Sequence, residues 1–131
     1  MKRFLLDTHV FLWWIIDSPK LATDAKNAIV SGQNQIYISA ATTWEISIKK
    51  SIGKLDAPDD LDGIVEQERF IQLPISLYHG QIAGQLPQHH RDPFDRMLIS
   101  QAQTEGLILV TADPNILKYS VQTLNAYSGK A

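Results

Sequence analysis

The chain has 131 residues, no cysteine, a formal net charge of −2 and a pI of about 6.0. The length suits one domain, 1–131, with a core of its own, and the missing cysteines exclude disulfides, thiolate metal sites and a cysteine nucleophile. The charge argues against a passive binder held to nucleic acid by basicity, but much less against an enzyme that handles RNA through metal ions. Val10–Ile16, the longest strongly apolar run, is too short to cross a bilayer, and Asp7 interrupts what would follow a signal-peptide start at Lys2-Arg3. A cytoplasmic protein is expected, with no membrane partner.

Lys2–Thr8 opens the chain with a short apolar run, Phe4 to Leu6, that fits a strand buried on both faces of a parallel sheet. It ends in Asp7, Thr8 and His9. A helix follows to about Ile16, so apolar (Phe11 to Ile16) that either a second helix covers it or part of it meets another chain. Residues 20–31 read as that second helix, with Leu21, Ala25, Ala28 and Ile29 on one side. Gln35–Ser39 is a strand by its β-formers, and Ser39 caps a long helix to about Ile52. In that helix Trp44, Ile48 and Ile52 predict a buried stripe with Glu45 beside it. A helix is expected over 59–69, a strand at Phe70–Pro74, and a helix from Ser76 to about Gln85 with Leu77, Ile82 and Leu86 on its apolar side. Pro87–Arg91 is a polar loop. Asp92-Pro93 then starts a helix that Gly106 stops. Leu107–Val110 is a fourth strand, a short helix runs from Pro114 to Tyr119, Val121–Leu124 is a possible fifth strand, and the tail from about 127 is expected to fray. Helices alternating with apolar strands predict an α/β fold, a parallel four- to five-stranded sheet between helical layers.

Acids recur where such a sheet would gather them: Asp7 after the first strand, Glu45 in the helix after the second, Asp92 and Asp95 opening a later helix, Asp113 after the fourth strand. In open α/β sheets ligands bind outside the carboxyl ends of the strands. Carboxylates converging there repel one another, and their natural companion is a hard cation with oxygen ligands, Mg²⁺ or Mn²⁺, one or two ions. Such a centre suits phosphodiester hydrolysis. Each acid also has a plainer role. Glu45 is spaced to pair with Lys49, Asp7 and Asp113 precede helical turns, and Asp92 before Pro93 is a helix cap. Asp95 lines up with Ile99 and Ala102, so it points inward or into a cleft.

LLDTHVFLWW, SAATTWEISIKKSIGKL, HHRDPFDRMLISQA and LILVTADPNI, in this order over roughly residues 3–119, resemble the PIN-domain ribonucleases, and within them the VapC-type toxins of bacterial toxin–antitoxin pairs. The resemblance implies a three-layer α/β/α sandwich and endonucleolytic RNA cleavage by metal-activated water. It implies metal ligation by Asp7, Glu45, Asp95 and Asp113, with hydroxyls of Thr8 and Thr111 orienting a water or a neighbouring carboxylate, and Asp92 as a cap or outer support. It further implies a small antitoxin partner and a homodimer. Lys49, Lys50, Lys54 and Arg96 are candidate RNA phosphate contacts, with ordinary surface charge as the plainer role of each, and His89 and His90 are either further phosphate contacts or, in the favoured reading, loop histidines.

Two other functions compete. A PIN-like module that binds RNA or protein without cutting would have no use for four intact acids, whose repulsion costs stability. A phosphatase with Asp7 as nucleophile, in the haloacid dehalogenase manner, wants a second acid two residues on, where this chain has His9.

Overall fold

The computed structural model describes residues 1–130. Five strands, β1 (Arg3–Leu6), β2 (Gln35–Ser39), β3 (Ile71–Leu73), β4 (Ile108–Thr111) and β5 (Thr123–Asn125), form one sheet in the order β3-β2-β1-β4-β5. Every pairing is parallel, so all carboxyl ends lie on one edge. β1 is central: Leu5 pairs with Tyr37 on one side and Leu109 on the other.

The side-chain alternation of β1 divides the core. Phe4 and Leu6 face a cluster with Val10 and Phe11 of α1 (Thr8–Ile15), Ala25 and Ile29 of α2 (Thr23–Val30), and Leu61 and Val65 of α4 (Leu61–Gln67). Leu5 faces the opposite cluster, with Leu98, Ile99 and Ala102 of α6 (Pro93–Glu105). α5 (Leu77–Gln85) packs on α6, and α3 (Ala40–Ser51) gives Ile46 to the first cluster and Ala41 to the second. This is the expected three-layer α/β/α sandwich.

Local chemistry sets the boundaries. The Ser39 hydroxyl accepts from Ala41 N–H at 3.0 Å, and Asp92 accepts from the Phe94 and Asp95 N–H groups at 2.9 and 3.0 Å. Gly106 ends α6 at φ 67°, a left-handed conformation that glycine adopts without a Cβ penalty.

Several expectations are corrected. The buried face of α3 is Ala41, Thr42, Glu45 and Ile46; Trp44 is 60% exposed, and Ile48 and Ile52 are exposed too. The four-residue spacing is genuine, but the polar face beside it turned inward because its groups find partners there. Leu77 is 97% exposed, and α5 instead buries His79. α2 starts late because Leu21 forms an antiparallel bridge with Tyr127 and Ala22 N–H donates to Ala126 C=O at 2.7 Å. That bridge ties the tail down. Ser128 N–H also donates to Lys20 C=O at 2.8 Å, so fraying does not begin at 127; Ala131, the last residue of that expected tail, lies outside the described residues. Trp13 and Trp14 are half-buried, covered by Tyr127 and Phe70 with ring centroids 6.4 Å apart in each pair. No helix among the described residues is long and apolar enough to cross a membrane.

Candidate metal centre

β1 and β4 are neighbours, so the residues that follow them meet. Asp7 is buried at the end of β1. One of its oxygens accepts from Val10 N–H at 2.9 Å and caps α1; the other accepts from the Thr111 hydroxyl at 2.5 Å. Thr111 in turn accepts from Asp113 N–H at 3.1 Å, and Asp113 is held by Asn115 N–H at 2.9 Å. Capping and site geometry are therefore not alternatives for Asp7. The cap fixes the carboxylate that faces the edge.

Asp95 comes from the first turn of α6, which Asp92 caps. Oxygens of Asp95 and Asp113 and a ring nitrogen of His90 all lie within 4.8 Å of one another. The Asp95 pKa is pushed up to about 8, first by burial, then by the negative charges of Asp92 and Asp113, a hydrogen bond with Asp113, and the charge of Asp7. Burial also pushes Asp7 upward, against the Thr111 and Val10 hydrogen bonds and the His9 charge. Neither Asp7 nor Glu45 belongs to a group of three as tight as that one among the described residues.

Glu45 is buried one step further out. It accepts from the Thr8 hydroxyl at 2.7 Å and from Lys49 at 2.6 Å. The i,i+4 pair thus forms, but with its acid end inside. The Lys49 pKa is raised, chiefly by the hydrogen bond to Glu45, with further contributions from Asp92 and Asp95, so this ammonium lies among the acids. Lys50 pairs with the exposed Asp59, and Lys54 is exposed on the loop after Gly53.

Arg96 is a correction. Only 8% exposed, its guanidinium donates to the carbonyls of Pro87, Ala83, Leu86 and His90 at 2.8, 3.0, 3.0 and 3.4 Å and to the Tyr119 hydroxyl at 3.2 Å. Those donors hold the 83–90 segment and are not available to phosphate.

His90 is the residue that sequence reasoning placed in an idle loop. Tyr119 oxygen accepts from both Arg96 and His90 N–H at 3.2 Å, which uses its two lone pairs. Its own proton must then go to His90 Nδ1, 2.8 Å away. Neutral His90 therefore carries its proton on Nε2, which faces Asp95 at 3.4 Å. In this tautomer His90 donates toward the acids and does not offer a lone pair to a cation. The available signal was Tyr119, which lies far along the chain, with Arg96 joining the two.

Asp7, Asp95, Asp113 and Glu45 are hard oxygen donors, and burial together with like charge pushes Asp95 toward protonation. A divalent cation relieves that repulsion, so the donor set fits one.

The comparisons with known proteins agree with this architecture. The chain is 39% identical over 71 residues to "Ribonuclease VapC16" of Mycobacterium tuberculosis (strain ATCC 25618 / H37Rv), a match covering 50% of each chain; it thus spans about half the length of that relative. It is 27% identical over 119 residues to "tRNA(fMet)-specific endonuclease VapC" of Shigella flexneri, covering 85% of this chain and 86% of that one. The fold is shared with VapBC2 from Rickettsia felis, solved bound to a DNA fragment from their promoter, at a TM-score of 0.71 and 20% identity over 94% of this chain and 98% of that chain. Residues 4–121 match the sequence model of the PIN domain, and the chain belongs to that family.

Proposed function

We propose that this chain is a divalent-metal-dependent endoribonuclease, folded as one domain and acting in the cytoplasm as the toxin of a toxin–antitoxin pair. The observation that carries the reading is the meeting of Asp95 and Asp113 within 4.8 Å, with Asp7 close enough to add its charge and Asp95 raised to about 8 by burial and neighbouring acids. Family membership and the ribonuclease names of the two relatives support it.

Asp7, Asp95, Asp113 and Glu45 would hold Mg²⁺ or Mn²⁺, one ion or two. When bound, the cation supplies positive charge for the phosphodiester and lowers the pKa of a coordinated water. Thr111 and Thr8 fix the Asp7 and Glu45 carboxylates through their hydroxyls. Asp92 fixes the first turn of α6 and so the backbone from which Asp95 projects. His90 Nε2–H orients Asp95. Lys54, exposed after Gly53, offers positive charge to the RNA backbone, with Lys49 and Lys50 beside it once their pairs to Glu45 and Asp59 are exchanged for phosphate. A small antitoxin and a second copy of the chain are the expected protein partners; the VapBC2 neighbour supports the first, and exposed Trp44, Ile52 and Leu77 leave apolar surface for another chain.

The test is cleavage of total RNA by the purified protein in Mg²⁺ or Mn²⁺. The wild type is expected to cut at discrete sites, and EDTA or Asp7→Asn to abolish cutting. Equal cutting by Asp7→Asn would overturn the assignment.

A further inference from the structure

Next to the acids lies a cleft of about 380 Å³, bounded by Asp7 and Asp113 on one side and by His9, Trp13, Pro114 and Tyr127 on the others. Its size falls within the range of small-ligand sites, roughly 300–1,000 Å³. Its outer wall is aromatic. The Trp13 ring is 6.5 Å from His9 and 6.4 Å from Tyr127, tilted by 56° and 39°, so the rings form one faceted wall.

The chain goes to some length to assemble this wall. His9 and Trp13 stand four residues apart on α1 and share a face. Tyr127 arrives from the opposite end of the sequence, held by its bridge to Leu21 and by Ser128 on Lys20. His9 and Tyr127 remain exposed and Trp13 is half-buried. Among the described residues, no hydrogen bond uses the Trp13 indole N–H, the His9 ring or the Tyr127 hydroxyl, so polar edges as well as ring faces are open to a ligand.

We infer that this cleft is a nucleobase subsite: an unpaired base of the RNA strand, adjacent to the phosphodiester held at the acids, lies against the Trp13–Tyr127 wall. The inference rests on the ribonuclease reading. Asp7 and Asp113 border both the acid site and this cleft, so a strand whose phosphate sits at the acids has a neighbouring base within reach of the cleft. Splayed single-stranded bases stack on aromatic side chains, and such stacking tolerates any base because every base has a π-face. Preference among bases would come from the His9 and Tyr127 polar edges.

Nuclear magnetic resonance on the ¹⁵N-labelled full chain in Mg²⁺ tests this, with uridine and adenosine 5′-monophosphates as probes and ribose 5-phosphate as the base-free control. The nucleotides are expected to move the Trp13 indole N–H and the His9, Ala112 and Tyr127 amides, and the control is not. Equal shifts with the control, or none with either nucleotide, would overturn the subsite. So would shifts produced only by an arginine-bearing peptide, because the cleft would then take a protein side chain. In RNA cleavage, Tyr127→Ala and the milder Trp13→Phe are expected to raise KM, Tyr127→Ala by about fivefold or more, with Mn²⁺ affinity unchanged; Tyr127→Phe restores it. A wild type that cuts while Tyr127→Ala keeps a normal KM overturns the subsite alone. A wild type that cuts nothing but shows base-dependent shifts overturns the nuclease reading and leaves the subsite standing.

Discussion

The two ends of α6 treat acidic charge in opposite ways. At its last residue, Glu105 accepts from His79 Nε2 at 2.9 Å, and His79 Nδ1 accepts from Ser76 N–H at 3.0 Å, completing the cap of α5. Ser100 hydroxyl donates to His79 C=O at 2.7 Å. An acid there faces an imidazole donor; of the buried side-chain polar atoms among the described residues, Gln101 Oε1 alone has no hydrogen-bond partner. At the first turn of α6, Asp95 faces Asp92, Asp113 and Asp7, with the His90 N–H and the charge of Lys49, itself paired to Glu45, as partial relief. The first arrangement stabilises the fold by itself. The second still costs stability, because one ammonium does not balance the acids and a divalent cation would, and groups kept under such repulsion mark function more often than structure.

If the contrast is correct, changes at the two ends separate activity from stability. The largest effect is on activity: Asp7→Asn is expected to bring RNA cleavage to the no-enzyme background while the protein stays folded, checked by cleavage assay and circular dichroism. Next in size is Arg96→Ala, which strips donors from four carbonyls and the Tyr119 hydroxyl; urea denaturation is expected to show a loss of about 3 kcal/mol.

Divalent ions come third. A carboxyl raised from 3.8 to about 8 stays protonated in the folded chain while the unfolded chain ionises. Its contribution to stability is therefore complete below about pH 4 and is lost as pH rises through about 8. Without metal, melting temperature is expected to fall over that window; Asp95→Asn, which removes the titration, is expected to flatten the fall. Saturating Mn²⁺ is expected to raise the melting temperature at pH 8 by roughly 5 °C or more, and by much less at pH 5. A pH-independent Mn²⁺ effect would break the comparison. Comparable in size is His79→Ala, expected to cost about 1–2 kcal/mol through the lost cap and the unpaired neighbours, with cleavage by the folded fraction unchanged. The smallest is Glu105→Gln, at most about 1 kcal/mol, because Glu105 is partly exposed.

How far the sequence carried the reading depends on the range of the interactions involved. The strand Gln35–Ser39, the caps at Ser39, Ser76 and Asp92 and the stop at Gly106 are decided by neighbours within a few residues, and each stands where its local chemistry places it. The acids were legible as a group because a parallel sheet collects strand ends on one edge. The phase of α3 was not. Apolar spacing selected the Trp44 stripe, whereas Glu45 is buried because Thr8, on another element, supplies its partner. Arg96 read as a surface charge for the same reason: its acceptors are carbonyls contributed by the turn of the chain after α5. His90 gained its role through Tyr119, and Tyr127 through a bridge to Leu21. In every such case a polar or aromatic side chain was placed by a contact that spacing along the chain does not encode.

The most direct test of the frustrated acid edge is calorimetric titration of the metal-free protein with Mn²⁺ at pH 7 in buffers of different ionisation enthalpy. Cation binding must displace the proton that Asp95 holds at that pH, so release of about one proton per site is expected, and it should vanish in Asp95→Asn. Binding without proton release, or no binding at all, would contradict the account.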